Sequence, residues 1–525
     1  MGYRLQFCGV GVGGFQRQVV IAVGRFAPTT RDIAPRRLDI IDKWAYSFRG
    51  WIYEVGCAME DLCFMPATEA AALIRDKKLS PVELMTAVLA RIEALEPQVN
   101  AFAALDANAA MVGAKSAEAA LKASDSRLGP LHGIPVTIKD LASVEGLPFQ
   151  RGSHIEAGNI GGVDAPFVSR LRAAGAIVLG KTTTSEFGWK GVSHSPLTGI
   201  THNPWKRGYN AGASSAGAAA AAAAGYGPLH QGSDGAGSVR MPAHFCGIFG
   251  LKPSFGRIPN APVANGDQSS HNGPMTRTVA DSALMLQVMS GPHPLDHYSL
   301  ESQPADYPEL LSGDLKGLRI AYSPDLGHAR VDGQVAKLVR SAADAIADLG
   351  AEVEEVTPPW GVDGPELIRF FWAAHELRFR PFLDKWGDKM DPGLVACIEA
   401  AGDPSAADYL AMRQRKLDYI AAIHDWFENW DLLLTPAVSV AAFPAERLQP
   451  ENWPAHDWDW VSWAEFSYPF NFSHNPAASI PCGFTDDGLP VGLQIVGRRL
   501  DDLGVLRAAA AFETARPWAD KRPAL

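Results

Sequence analysis

Apolar residues recur along this chain with two periods, one typical of helices and one typical of strands. Ser80, Pro81 and Glu83 provide the N-cap, the first-turn proline and the returning acid of a capping box, so we expect a helix to begin there. The apolar positions that follow lie on one helical face: Val82, Met85, Val88, Leu89, Ile92 and Leu95. Residues 131–141 alternate between apolar and polar side chains instead, which predicts a strand.

Helical and strand patterns keep alternating toward the C-terminus. A predicted helix over 168–174 precedes a short buried strand over 176–179. A strand over 318–322 precedes a helix over 335–349, and the alanine run over 218–224 predicts a tightly packed helix. This alternation predicts the α/β class, with helices packed around a sheet.

Composition narrows the classes of function. The 525 residues are 47% hydrophobic and 20% charged, enough for one large α/β domain or several smaller ones. The net charge of −11 argues against a nucleic-acid partner, because phosphate binding needs clustered Lys and Arg. The chain has no apolar run long enough to predict a membrane span. The six cysteines are scattered without a CxxC pair, which predicts free thiols in a cytoplasmic protein.

Residues 1–58 differ from the rest of the chain. They are rich in arginine and do not form a convincing signal peptide, because glycines and polar residues interrupt the apolar stretch. We expect a poorly ordered N-terminal extension, followed by a single domain over 59–525. Residues 9–14 match GxGxxG, which raises the alternative of a nucleotide-binding oxidoreductase. No clear helix follows this motif, and Asp32 lies in a Pro- and Arg-rich segment, so the alternative is disfavoured.

Residues 360–470 are unusually rich in tryptophan. The rings are Trp360, Trp372, Trp386, Trp426, Trp430, Trp453, Trp458, Trp460 and Trp463. Each ring taken alone is explained by core packing, but together they suggest that some of them line a substrate cleft. We therefore expect this region to cover the substrate site.

Two loops of small residues bracket the alanine run and carry the candidate chemistry. In the second loop, the N–H groups of Gly235, Ala236, Gly237 and Ser238 can point at one spot, as an oxyanion hole requires. A serine hydroxyl is a weak nucleophile until a base takes its proton. The chain has no GxSxG nucleophile elbow, which argues against a Ser-His-Asp triad. Lys139 ends an apolar strand, where burial would lower its pKa and leave a neutral amine as the base.

Three motifs at these positions resemble the amidase signature family. They are HGIPVTIKD over 132–140, GASSAG over 212–217 and GSDGAGSVRMPA over 232–243, in the order and at the intervals that the family shows. The resemblance covers roughly 67–500. It is densest over 131–257, which we take as the catalytic core.

The resemblance implies a three-layer α/β/α fold in which a large mixed β-sheet lies between α-helices. It also implies a Ser-cisSer-Lys triad, in which Ser238 attacks the amide carbonyl, Ser214 follows a cis peptide and relays the proton, and Lys139 is the base. An acyl-enzyme would then form on Ser238, and Gly235–Gly237 would contribute the oxyanion hole. Alanines replace the family's usual residues at four positions, which leaves the detailed shape of the loops open: Ala213, Ala216, Ala218 and Ala236.

The implied activity is cleavage of C–N bonds in small amides, without cofactor or metal, by a monomer or homodimer. Residues 186–191 and 195–199 are similar to those of broad-range amidases that include carbamate-cleaving (urethanase) enzymes. Aryl amides and carbamates are therefore expected substrates, with Phe187 and Gly188 in the pocket. An alternative within the same family is the glutaminase subunit of a tRNA-dependent amidotransferase. The lack of a basic tRNA-facing surface and the tryptophan content argue against it.

Overall fold

The computed structural model describes residues 61–123, 128–263, 268–301 and 306–525, and the backbone of two short antiparallel strands, Phe7–Cys8 and Val19–Val20. The chain divides into two units, Met1–Ala58 and Met59–Leu525. The GxGxxG motif and the predicted disorder of the extension lie outside the described residues. None of the helices in the described ranges has both the length and the apolarity to span a membrane.

One mixed sheet of eleven strands forms the centre of the larger unit. In chain order the strands are β1 (Phe102–Leu105), β2 (Pro135–Lys139), β3 (Ile177–Thr182), β4 (Leu229–Asp234), β5 (Phe249–Lys252), β6 (His271–Thr276), β7 (Arg319–Tyr322), β8 (Glu352–Glu355), β9 (Leu432–Pro436), β10 (Ala477–Phe484) and β11 (Pro490–Gly497). Their order across the sheet is β8-β7-β9-β11-β10-β5-β6-β4-β2-β3-β1. The runs β8-β7-β9 and β4-β2-β3 are parallel, and all other neighbours are antiparallel.

Both faces of the central strands of this sheet are buried. Successive side chains of a strand point to opposite faces. Leu432 and Leu434 of β9 belong to one hydrophobic core, whereas Leu433 between them belongs to a second. Ile495 and Val496 of β11 divide in the same way. The sheet therefore separates two cores, as expected for a sheet covered on both sides.

Helices form the outer layers. In chain order they are α1 (Ala67–Arg75), α2 (Pro81–Val99), α3 (Ala107–Lys122), α4 (Pro166–Ala173), α5 (Ala216–Ala224), α6 (Arg240–Cys246), α7 (Val279–Met289), α8 (Gly333–Asp348), α9 (Gly364–Glu376), α10 (Leu383–Trp386), α11 (Pro392–Ala400), α12 (Ala406–Phe427), α13 (Pro469–Phe472) and α14 (Asp502–Ala515). Helix α8 packs against β8–β11, α14 against β10 and β11, and α5 against β4. The predicted α/β fold, a large mixed sheet between helices, is confirmed.

Some predicted element boundaries agree with the structure and one does not. The predicted capping box at Ser80 is present, with its hydroxyl accepting from the Glu83 N–H and the Glu83 carboxylate accepting from the Ser80 N–H. Strand β2 is shorter than its apolar pattern predicted. Gly133 has a φ of +80°, and the Ile134 N–H donates to Leu131 O at 3.0 Å, so a turn occupies the first part of that pattern.

The alanine run forms helix α5, and all of its residues are buried. Small side chains are required because the backbone of its first turn touches neighbouring chain segments. A Cβ on Gly217 would lie 2.1 Å from Ala101 O and 2.5 Å from Thr183 N. This close packing fixes the start of α5 and, with it, the small-residue loop that precedes the helix.

Candidate active site

The candidate residues come together at one edge of the sheet. Strand β2 ends at Lys139, and its parallel neighbour β4 ends at Asp234. The carboxyl ends of adjacent parallel strands lie at the same edge, so residues that follow them are neighbours in space. Ser238 lies in the loop between β4 and α6, and Ser214 lies in the loop before α5.

Lys139 is completely buried among hydroxyl groups. Its Nζ lies 2.8 Å from Ser214 Oγ, 2.9 Å from Ser215 Oγ and 3.0 Å from Ser233 Oγ. Burial lowers the pKa of Lys139 well below its usual value, and the negative charge of Asp234 opposes this effect only in part. The amine therefore loses its proton more readily than an exposed lysine does.

The first small-residue loop presents two serines to this amine. The peptide bond between Ala213 and Ser214 is cis, as the resemblance implies. Ser215 Oγ donates to Ser233 O at 3.1 Å and accepts from the Ser233 N–H at 3.2 Å, so its proton is already engaged. Within the described ranges, Lys139 Nζ is the one hydrogen-bond partner of Ser214 Oγ. Ser214 is thus the serine whose proton is free to move toward the amine.

Ser238 lies beside this loop. The Ser215 N–H donates to Ser238 O at 3.3 Å, which joins the two small-residue loops. Ser238 Oγ makes no hydrogen bond to any side chain or backbone group that the structure describes. Ser238 and Ser214 line the same cavity. The structure therefore brings Lys139 and Ser214 into hydrogen-bond contact and places Ser238 nearby, without a hydrogen bond between the two serine hydroxyls.

A buried carboxylate, that of Asp234, shapes the loop after β4. Asp234 Oδ1 accepts the Gly237 N–H at 2.7 Å. The Gly237 N–H is therefore not free to meet an oxyanion, which differs from the expectation that it is one of the converging donors. The N–H groups of Gly235, Ala236 and Ser238 have no acceptor among the described residues. These three remain available as donors to a developing negative charge.

Asp234 is in turn paired with a buried arginine. Arg240 donates to both carboxylate oxygens, from Nη2 at 2.9 Å and from Nε at 3.0 Å. Burial raises the pKa of Asp234, but the charge and hydrogen bonds of Arg240 outweigh burial and hold it well below its usual range. Arg240 Nη1 also donates to Ser467 O and Gln494 Oε1, each at 2.8 Å. Residues distant in the chain therefore fix the shape of the loop.

A cavity of about 410 Å³ opens onto Ser214 and Ser238. Phe187 and Gly188 line it. Phe187 stacks on Phe379 with 4.2 Å between the ring centroids, which gives the cavity an aromatic wall. A Cβ on Gly188 would lie 3.2 Å from Ser214 Oγ, so this wall adjoins the Ser214 hydroxyl.

The tryptophan-rich region contributes one indole to the cavity. Trp372 lines it and lies 3.9 Å from the position of a Cβ on Gly235. Trp360, Trp460 and Trp463 are instead fully buried in the aromatic core on that face of the sheet. The expectation that some of the tryptophans line a cleft therefore fits Trp372, and core packing explains these other three.

Three charged residues that no sequence pattern singles out also line the cavity, Arg151, Glu376 and Arg378. None belongs to a recognisable motif. Sequence spacing offers one clue to Glu376: it follows Trp372 by four positions, which places both residues on one face of α9. Among the described residues, no cluster of three or more His, Cys, Asp and Glu side chains is arranged to hold a metal ion.

Known proteins resemble this chain over most of its length. A family model described as Amidase matches residues 83–506. The acylamidase of Rhodococcus erythropolis is 41% identical over 475 residues, which cover 89% of this chain and 98% of that protein. A glutamyl-tRNA(Gln) amidotransferase subunit of Chloroflexus aurantiacus is 34% identical over 492 residues, which cover 89% of this chain and 100% of that protein. The solved structure of a bacterial aryl acylamidase aligns with a TM-score of 0.80 at 29% identity, over 87% of this chain and 97% of its own.

The fold and these comparisons define the class of protein, an enzyme that hydrolyses C–N bonds of amides other than peptides. The chain belongs to the amidase signature family.

Proposed function

We propose that this enzyme hydrolyses acyl amides through the triad Lys139, Ser214 and Ser238. The observation that carries the proposal is the 2.8 Å contact between the buried Lys139 Nζ and Ser214 Oγ, at the cavity that Ser238 also lines. A neutral lysine has two N–H donors and one lone pair. Ser215 and Ser233 serve as acceptors for the two donors, which leaves the lone pair for the Ser214 proton.

In the proposed reaction, Ser238 Oγ attacks the amide carbonyl carbon. Its proton passes to Ser214 Oγ, while the Ser214 proton passes to Lys139 Nζ. The hydroxyls of Ser214 and Ser238 come into hydrogen-bond contact as substrate binds, because contacts of this kind often tighten only in the substrate complex. The carbonyl oxygen becomes negative and is stabilised by the free N–H groups of Gly235, Ala236 and Ser238.

Collapse of the tetrahedral intermediate breaks the C–N bond. The leaving amine takes a proton from the Lys139–Ser214 pair and departs, and the acyl group remains as an ester on Ser238. Water then attacks this ester, giving its proton to the same pair. The C–O bond to Ser238 then breaks, Ser238 Oγ takes the proton from the pair, and the carboxylic acid is released. The lysine thus acts first as a base and then as an acid, so both protonation states must be accessible.

We further propose that the preferred substrates carry an aromatic or apolar group next to the scissile amide or carbamate. The support is the aromatic lining of the cavity, formed by Phe149, Phe187, Trp372 and Phe379. Such walls bind flat apolar groups through area burial and ring stacking. The similarity to the solved bacterial aryl acylamidase favours aryl amides among these substrates.

A substrate panel tests this proposal. Acyl 4-nitroanilides, aliphatic primary amides, an aryl carbamate and L-glutamine are compared by kcat/KM in the same buffer. We expect the anilides to be cleaved best and glutamine worst, because glutamine offers no ring to the aromatic walls. Efficient ammonia release from L-glutamine, with no cleavage of anilides, would instead support the glutaminase activity that the amidotransferase relatives suggest.

A further inference from the structure

The catalytic cavity contains a carboxylate that the proposed reaction does not use. Glu376 is the last residue of α9, lines the cavity and is 1% exposed. Trp372, one helical turn earlier, adjoins Gly235 in the loop that carries Ser238. Residues four apart lie on one helical face. Glu376 therefore lies one helical turn beyond the ring that adjoins the reaction centre.

Glu376 has too few hydrogen-bond donors around it. Its Oε2 is buried and makes no hydrogen bond within the part of the chain that the structure describes. The nearest basic side-chain atoms among the described residues are Arg378 Nη2, 3.7 Å from Oε2, and His375 Nδ1, 4.0 Å from Oε1. Burial raises the pKa of Glu376 to about 7, and the charge of Arg378 lowers it. A buried acceptor without a donor is costly, so a ligand N–H at this point would be stabilising.

Arg378 supplies hydrogen-bond donors that complement the acceptor oxygens of Glu376. Its guanidinium lies over the Phe379 ring, 4.6 Å from the centroid, and also contacts His375. A guanidinium carries five N–H donors and no acceptor. Glu376 and Arg378 therefore present an acceptor and a donor side by side, 3.7 Å apart, on the lining of the same cavity.

The geometry points to a subsite, formed by Glu376 and Arg378, for a second carboxamide or ureido group on the substrate. A primary carboxamide or urea carries an N–H and a C=O along one edge. The N–H would donate to Glu376, and the carbonyl would accept from Arg378. The positive charge of Arg378 beside the carboxylate disfavours a cationic amine at this place. This inference rests on the proposed function, because it takes the cavity to be the substrate site.

The test compares two acyl 4-nitroanilides that differ only at the far end of the acyl chain. One ends in a carboxamide and the other in a methyl ketone, which has a similar shape and keeps the carbonyl but lacks the N–H. In this acyl series, spacers of increasing length separate the scissile amide from the carboxamide or ketone. A second series carries the same two groups on the aniline half of the substrate instead. The measured quantity is the ratio of kcat/KM for carboxamide over ketone. Because both substrates are assayed on one preparation, this ratio does not depend on how much of the protein is folded.

In buffer well above pH 7, where Glu376 is ionised, we expect the wild-type ratio to exceed that of Glu376→Met by at least about tenfold in one of the series, since a hydrogen bond to a charged acceptor is lost. Glu366→Met is the matched control, because Glu366 lies on the same helix with its side chain 66% exposed, outside the cavity. It should keep the wild-type ratio. Equal ratios in wild type and Glu376→Met across all series would overturn the subsite. An unsubstituted anilide reports separately on the proposed function: if wild type fails to cleave it, the activity assignment itself is at fault.

Discussion

Replacement of Asp234 by asparagine should weaken the fold and also shift the pH dependence of the reaction. The Asp234 carboxylate is buried, accepts the Gly237 N–H and pairs through both of its oxygens with the Nε–Nη2 edge of Arg240. Asparagine keeps the size and one acceptor oxygen but loses the charge. Arg240 is then left as a buried cation without its counter-ion.

The cost to stability follows from this burial. Removing one partner of a buried ion pair typically costs about 3–5 kcal/mol, because the remaining charge is desolvated and unpaired. The other acceptors of Arg240, including Ser467 O and Gln494 Oε1, stay in place and favour the lower end of that range. The midpoint of equilibrium urea unfolding measures this change.

The effect on catalysis has a defined sign. The negative charge of Asp234 raises the pKa of Lys139, against the larger lowering by burial. Removing the charge lowers the pKa of Lys139 further. Because the neutral amine is the active form in the proposed reaction, the acidic limb of the kcat/KM profile should move to lower pH.

A second buried aspartate provides the control. Asp281 is also buried, and it accepts the N–H groups of Ala67 and Thr68 rather than any group of the site. Asp281→Asn should leave the acidic limb where it is in wild type. A shift of the Asp234→Asn limb to higher pH, or no shift with normal folding, would refute the electrostatic link to Lys139.

Three further predictions concern the base, a buried glutamate and the extension. Lys139→Met should lower kcat/KM by about 10²–10⁴-fold while circular dichroism stays unchanged, because a general base is lost; near-normal turnover would exclude Lys139 from the mechanism. Burial raises the pKa of Glu96 from 4.5 to about 7, so the native state binds its proton more tightly than the unfolded chain and stability falls as pH rises through this window. Glu96→Gln should therefore gain up to about 2–3 kcal/mol relative to wild type between pH 5 and pH 8, measured by urea unfolding, and a pH-independent difference would contradict this. A chain that starts at Met59 should keep wild-type kcat/KM, and loss of most activity would show that residues 1–58 are needed.

The candidate catalytic residues could be singled out from the sequence because each carries a local signal. Lys139 ends a continuous apolar strand, and Ser214 and Ser238 lie in loops whose small residues allow close backbone approach. The helix that starts at Pro81 has a complete capping box within four residues of chain. These features depend on neighbours in sequence, so pattern and motif are sufficient to find them.

Other features depend on contacts between distant segments. The Gly237 N–H is taken by Asp234, whose position is set in turn by Arg240 and Asn471, and spacing alone does not reveal this. Likewise, Trp372 lines the cavity whereas Trp360 is buried in the core, although both lie in the same tryptophan-rich region. The predicted monomer or homodimer stays a prediction, since the chain's own packing does not address it.

The identity of the nucleophile is the central claim, and covalent labelling tests it most directly. A fluorophosphonate probe is incubated with wild type, Ser238→Ala, Ser214→Ala and Ser215→Ala, and the adduct is mapped by peptide mass spectrometry. We predict one adduct, on Ser238. It should be absent in Ser238→Ala, formed much more slowly in Ser214→Ala, and less affected in Ser215→Ala, whose hydroxyl proton is already engaged by Ser233 O. An adduct on Ser214 or Ser215, with none on Ser238, would contradict the account.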